Sequence, residues 1–213
     1  MNKNVRDFLD VVFYVIVFFL IQLFFIYFVQ FVAAYIEGKT IHDALQCLQQ
    51  EPRLTGKMMA AVSVLFGMSS ICWFIWRKWT PVSRTWIAGR PWFVLLWVAA
   101  AALGSILPSE WVIEQIQYTM PKAMEQLFED IMREPLGYVA IGIVSAVAEE
   151  VVFRGAVLRR LLDMSDERWH WAAIIASALI FGGVHGNVPQ FIHAALMGLI
   201  LGWMYYRTRS IIP

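Results

Sequence analysis

Two adjacent carboxylates and an arginine, Glu149, Glu150 and Arg154, lie inside a stretch otherwise apolar enough to cross a membrane. Charge at bilayer depth is costly, so by default it marks a cavity, a pathway or an active site. On a helix, Glu150 and Arg154 are neighbours on one face, whereas Glu149 points about 100° away from Glu150. One carboxylate is then neutralised by the arginine while its neighbour stays available for chemistry. Burial and a nearby cation pull a carboxylate's proton affinity in opposite directions, and this opposition tunes a glutamate for general-base work near neutral pH.

A second constellation follows in Phe181-Gly182-Gly183-Val184-His185, a histidine at the end of an apolar run. With residues 163–168 as the intervening turn, Glu150 lies about 13 residues before it and His185 about 17 after it; at ~1.5 Å per residue both sit some 20–26 Å from the same surface. They share a depth. A glutamate and a histidine facing one another in a wet pocket polarise a water molecule, directly or through a metal ion. If Glu150 rather than Glu149 faces His185, the roles of the two glutamates are exchanged.

The elements that must position these groups are membrane helices. Hydrophobic residues make up 60% of the 213 residues and the net charge is +1, a composition of a polytopic membrane protein that says nothing of nucleic acid. Six apolar segments, 11–36, 58–76, 92–108, 136–162, 169–185 and 190–206, approach the ~20 residues a spanning helix needs. Isolated strands leave their backbone unpaired in lipid, and no alternating pattern suggests a barrel. The expected fold is therefore an all-α transmembrane bundle of about six spans, in which 92–108 and 169–185 are short enough to be tilted or partly re-entrant. The first run is longer than the ~7–15-residue core of a cleavable signal peptide, so it reads as a retained anchor. Two cysteines, Cys47 and Cys72, are too few for a disulfide framework or a zinc cluster.

Basic residues set the expected orientation. Arg77, Lys78, Arg84 and Arg90, then Arg159, Arg160 and Arg168, then Arg207 and Arg209 all fall on one side if six spans alternate. That side is expected to be cytoplasmic, with the N-terminus. The stretch between Glu110 and Glu134, carrying Glu114, Glu125, Glu129 and Asp130, faces outward. Trp73, Trp76, Trp79, Trp86, Trp92, Trp97, Trp169 and Trp171 gather near span ends as an interfacial belt, and Gly198 with Gly202 suits close helix contact. No repeat or linker calls for a second domain.

The ordered set Glu149-Glu150-x-x-x-Arg154, Phe181-x-x-x-His185, Asn187-x-Pro189-Gln190-Phe191 and Gly198-Leu199-x-x-Gly202-x-x-Tyr205-x-Arg207-Thr208-x-Ser210 resembles the CPBP group. That group comprises CAAX-type prenyl-protein endopeptidases and bacteriocin-processing or immunity relatives, the Abi-type intramembrane metalloproteases. The resemblance covers 136–213 and leaves 1–135 as variable N-terminal helices and loops. It implies an endopeptidase in which Glu149 activates water with help from His185, while Glu150, Arg154, Phe181 and Asn187 shape the site. It also implies a divalent metal such as zinc on Glu149 and His185, a membrane-associated or prenylated peptide substrate, and residence in the cell (inner) membrane.

Two departures from the pattern matter. The family continues into a further helix carrying a histidine followed four residues later by asparagine or similar, so the chain is expected either to be truncated at Pro213 or to have lost part of the site, and to be weak or inactive by itself. Arg209 replaces a small glycine in the preceding turn. His193 is a possible substitute for the second histidine, although Pro189 interrupts any continuous helix between it and His185.

Plainer readings stand beside these. The charged triad can be a structural ion pair, Phe181 core packing, and Asn187 either a donor to a carbonyl oxygen or a turn residue. Rival functions are a non-enzymatic immunity or regulatory protein and a small proton- or cation-coupled transporter. No G-x-S-x-G occurs, and Cys72 lies outside the resembling segment, so no covalent nucleophile is implied.

Overall fold

The computed structural model describes residues 3–47, 54–82, 92–116 and 122–212. The chain is all-helical, with no strand among the described residues. Its helices are α1 (Lys3–Ile36), α2 (Ile41–Cys47), α3 (Gly56–Trp76), α4 (Trp92–Ile116), α5 (Lys122–Met132), the rod α6 (Gly137–Met164), α7 (His170–Gly183) and α8 (Val188–Thr208). Arg84, Trp86, Arg90 and Pro121 fall outside the described residues.

Four helices, α1, α3, α4 and α8, are long and apolar enough to cross a membrane, and α5 with α6 makes a fifth candidate bent by 115°. The protein is an integral membrane protein. The segment expected to span as 169–185 forms a helix of 14 residues. At ~1.5 Å per residue it reaches about 21 Å, short of a ~30 Å hydrocarbon core, because the His185 turn ends it early. Helix α4 instead runs past its expected end and through Pro108, as membrane helices tolerate.

The rod α6 is the centre of the bundle. Val151 through Leu158 are buried without interruption, the mark of a helix covered on every side. Helices α1, α3, α7 and α8 supply that cover. The rod is not a plain α-helix: Ala140–Ser145 and Glu150–Leu158 have π-helical hydrogen bonding. Such wide turns are rare and cluster at functional sites.

The two ends of the bundle differ. At one, Thr80 donates a buried 2.6 Å hydrogen bond to the Val151 carbonyl, and Arg159 reaches the Trp79 carbonyl at 2.9 Å. Arg160 pairs there with Asp10 and, at 3.5 Å, with the buried Asp7 of α1. The N-terminal helix, residues 77–80 and the start of the 159–168 segment therefore meet at one end, as the basic-residue pattern predicts. Trp79 departs from the expected belt: its ring lies 4.8 Å from Tyr14 and 5.0 Å from Phe74, inside the aromatic core. At the opposite end α5 rests on the start of α3 with Glu125, Glu129 and Asp130 exposed.

Helices α7 and α8 pack most closely through glycine. A Cβ on Gly198 would stand 2.9 Å from the Ala178 Cα, and one on Gly182 would stand 2.7 Å from the Phe191 carbonyl oxygen. The second approach brings the end of α7 against the first turn of α8, where the candidate site lies.

Candidate active site

Glu149 ends the short α-helical stretch between the two π segments and is half-buried. Glu150 opens the second π segment, and its Oε1 lies 3.0 Å from Nη1 of Arg154. Arg154 is only 2% exposed. Its guanidinium stacks over the Phe181 ring, 4.4 Å from the centroid, and its terminal nitrogens make no directed hydrogen bond among the described residues. An ion pair and a ring face therefore answer the buried cation, and Glu150 is the carboxylate committed to it.

His185 follows α7 in a tight turn. Its Nδ1 lies 2.9 Å from the Phe181 carbonyl oxygen, which can only accept, so Nδ1 carries a proton and, in the neutral ring, Nε2 keeps its lone pair. The ring stands edge-on to Phe181 at 5.2 Å. Phe181 thus touches Arg154 on its face and His185 at its edge. Gly186, at φ +70°, supplies the left-handed backbone that reverses the chain.

Asn187 caps α8. Its Oδ1 accepts from the Gln190 backbone N–H at 3.0 Å, and its Nδ2 donates to the His185 carbonyl at 3.1 Å and to Oε1 of Gln190. Both Nδ2 hydrogens are consumed in this network, so the structure gives Asn187 the turn role among the alternatives open from sequence.

Glu149 and His185 line one cavity of about 350 Å³, within the range of small-ligand sites. Phe18, Phe19 and Phe66 form its apolar wall from α1 and α3, and Leu127, Phe128 and Ile131 of α5 form another. Gln22, Ser145 and Gln190 add polar groups. Glu150, Arg154 and Asn187 are not among the lining residues, and buried Phe181 packs behind the His185 ring. His193 is exposed and does not line the cavity. Its helix leaves from a cap set by Pro189 and Asn187, and the structure does not bring it to Glu149 and His185.

Sequence reasoning missed Gln22, Ser145 and the whole α5 wall, and it carried Gln190 only as a member of a motif. A signal existed for the first: Gln22 and Gln30 are the amide side chains in the otherwise apolar run from Val11 to Ile36. His42 bonds Gln46 on the surface, and His170 stacks on Tyr206 beside Glu167, away from this cavity.

The metal implied by the resemblance meets two donors, Glu149 and His185. Catalytic zinc takes three protein ligands, and no group of three His, Cys, Asp or Glu suited to a metal occurs among the described residues. The donor set among the described residues falls short of a zinc site.

Residues 132–213 match the family described as type II CAAX prenyl endopeptidase Rce1-like. The matched segment includes all of α6, α7 and α8, and hence Glu149 and His185; Gln22 and the α5 wall residues precede it. No curated protein and no solved structure matches the chain.

Proposed function

We propose, from the matched CAAX-endopeptidase segment as premise, that this membrane protein hydrolyses a peptide bond with water activated by Glu149 and His185. The observation that carries the proposal is the division of labour between adjacent glutamates: Glu150 is bound to Arg154, while Glu149 shares a cavity with His185.

The Glu149 carboxylate takes a proton from water as the water oxygen bonds to the amide carbon, giving a tetrahedral intermediate. His185 Nε2, left as an acceptor by the bond at Nδ1, holds the second water hydrogen and so orients the attack. Collapse of the intermediate breaks the carbon–nitrogen bond, and the proton on Glu149 passes to the leaving amine. Arg154 and Glu150 hold Phe181, and Phe181 holds the His185 ring.

The substrate is proposed to be a membrane-associated peptide, with prenylated chains the first class to test. The phenylalanine-lined wall suits an apolar chain, while Gln22, Ser145 and Gln190 suit peptide groups. The protein expressed from its complete gene and reconstituted in lipid is expected to cleave a peptide library at one consistent bond, read by mass spectrometry, with prenylated and unmodified members compared, and the chain ending at Pro213 is expected to be much weaker. No cleavage of either class overturns the proposal.

A further inference from the structure

We infer that Gln190 donates a hydrogen bond from its side-chain Nε2 to the carbonyl oxygen of the bound substrate and holds the oxyanion in the tetrahedral intermediate. The inference rests on the peptidase reading and gives that reading an electrophilic partner. Its orientation follows from a chain of bonds. The Gln190 backbone N–H can only donate, so the Asn187 atom facing it at 3.0 Å is Oδ1. The other Asn187 terminus is then Nδ2, which already donates to the His185 carbonyl at 3.1 Å. Whatever Gln190 atom meets Nδ2 must accept, so it is Oε1. Nε2 of Gln190 is thereby turned away from Asn187, and it has no hydrogen-bond partner among the described residues.

Gln190 lines the cavity shared by Glu149 and His185. The Gln190 side chain is half-buried, and its Nε2, spending no N–H on the protein, is open to a ligand held beside Glu149 and His185. A donor fixed before substrate arrives needs no reorganisation as charge develops, the condition under which oxyanion stabilisation is strongest. Asn187 is the positioning residue: it fixes the Gln190 amide and, through the His185 carbonyl, the turn that carries the histidine.

The competing explanation is that Gln190 merely completes the N-terminal cap of α8, in the manner of a capping box. Gln190→Glu separates the two roles. It keeps an oxygen for Asn187 Nδ2 and suits a helix N-terminus, yet removes the N–H donors. Gln190→Met, which removes cap and donor together, is the second variant. Kinetics on the cleaved peptide are paired with binding of a phosphinate peptide, whose tetrahedral oxygens mimic the intermediate, and of the parent peptide. Gln190→Glu is expected to keep the melting temperature while kcat and phosphinate affinity fall about 100- to 1000-fold and affinity for the parent peptide falls by much less. Gln190→Met is expected to lose the same activity and some thermal stability. Wild-type kcat and phosphinate affinity in Gln190→Glu overturn the inference and leave the peptidase reading standing. Phosphinate binding that depends on Gln190, without cleavage by the wild type, overturns the peptidase reading and leaves the donor. Absence of both overturns both.

Discussion

Arg154 Nη1 lies 3.0 Å from Oε1 of Glu150, and the guanidinium that makes this contact also covers the face of Phe181. Removing one partner leaves the other charge uncompensated. Glu150→Ala is expected to destabilise the protein by about 3–5 kcal/mol, the range for breaking a buried pair. The effect should fall toward the lower bound, because the Glu150 side chain is 23% exposed. The double variant Glu150→Met/Arg154→Met removes both charges and is expected to lose less than Glu150→Met alone. Thermal unfolding of the wild type, Glu150→Met, Arg154→Met and the double variant in nanodiscs gives the coupling; a double variant worse than Glu150→Met contradicts it.

Asn187 offers a separable pair of functions. Asn187→Ala loses the cap of α8 and should cost about 1 kcal/mol. Asn187→Asp keeps the accepting oxygen, so stability should stay near that of the wild type. It replaces the donor to His185 and Gln190 by an acceptor, so cleavage should fall while the fold holds. Melting temperature and kcat measured on the same samples check this; equal activity in Asn187→Asp and the wild type refutes it.

Much of the site could be read before folding because it depends on local spacing and on depth. The Glu150–Arg154 pair follows from residues four apart on a helix, and the Gly198 contact follows from small residues at helical spacing. The rest depends on packing. The π segments at Ala140–Ser145 and Glu150–Leu158 arise from a hydrogen-bond register that no residue type announces. The α5 wall needed the 115° bend between α5 and α6, which sets Leu127, Phe128 and Ile131 over a cavity distant in sequence. Gln190 read as one member of a motif; its role as a donor emerges only when Asn187 takes its oxygen.

Metal dependence follows from the donor count. With two suitable ligands among the described residues of the cavity, residues 1–213 are expected to hold no stoichiometric zinc, and prolonged dialysis against a chelator is expected to leave whatever cleavage they support unchanged. Loss on chelation with recovery on adding zinc would establish a metal and recast His185 as a ligand.

Orientation is testable at the two ends of the bundle. In a chain with Cys47 and Cys72 replaced by serine, single cysteines at the exposed Val82 and Glu129 report opposite sides. The excess of basic residues in 77–91 and 159–168 predicts that an impermeant reagent applied to intact cells labels position 129 and spares position 82. The reverse pattern inverts the assignment.

The central claim is that Glu149 is the base. The most direct measurement compares purified wild type with Glu149→Gln on the same lipid-presented peptide. The substitution keeps the size of the side chain and its hydrogen bonding while removing proton acceptance. Cleavage is expected to fall at least about 100-fold, the lower range for losing a general base, with an unchanged melting temperature. Undiminished cleavage by Glu149→Gln contradicts the account.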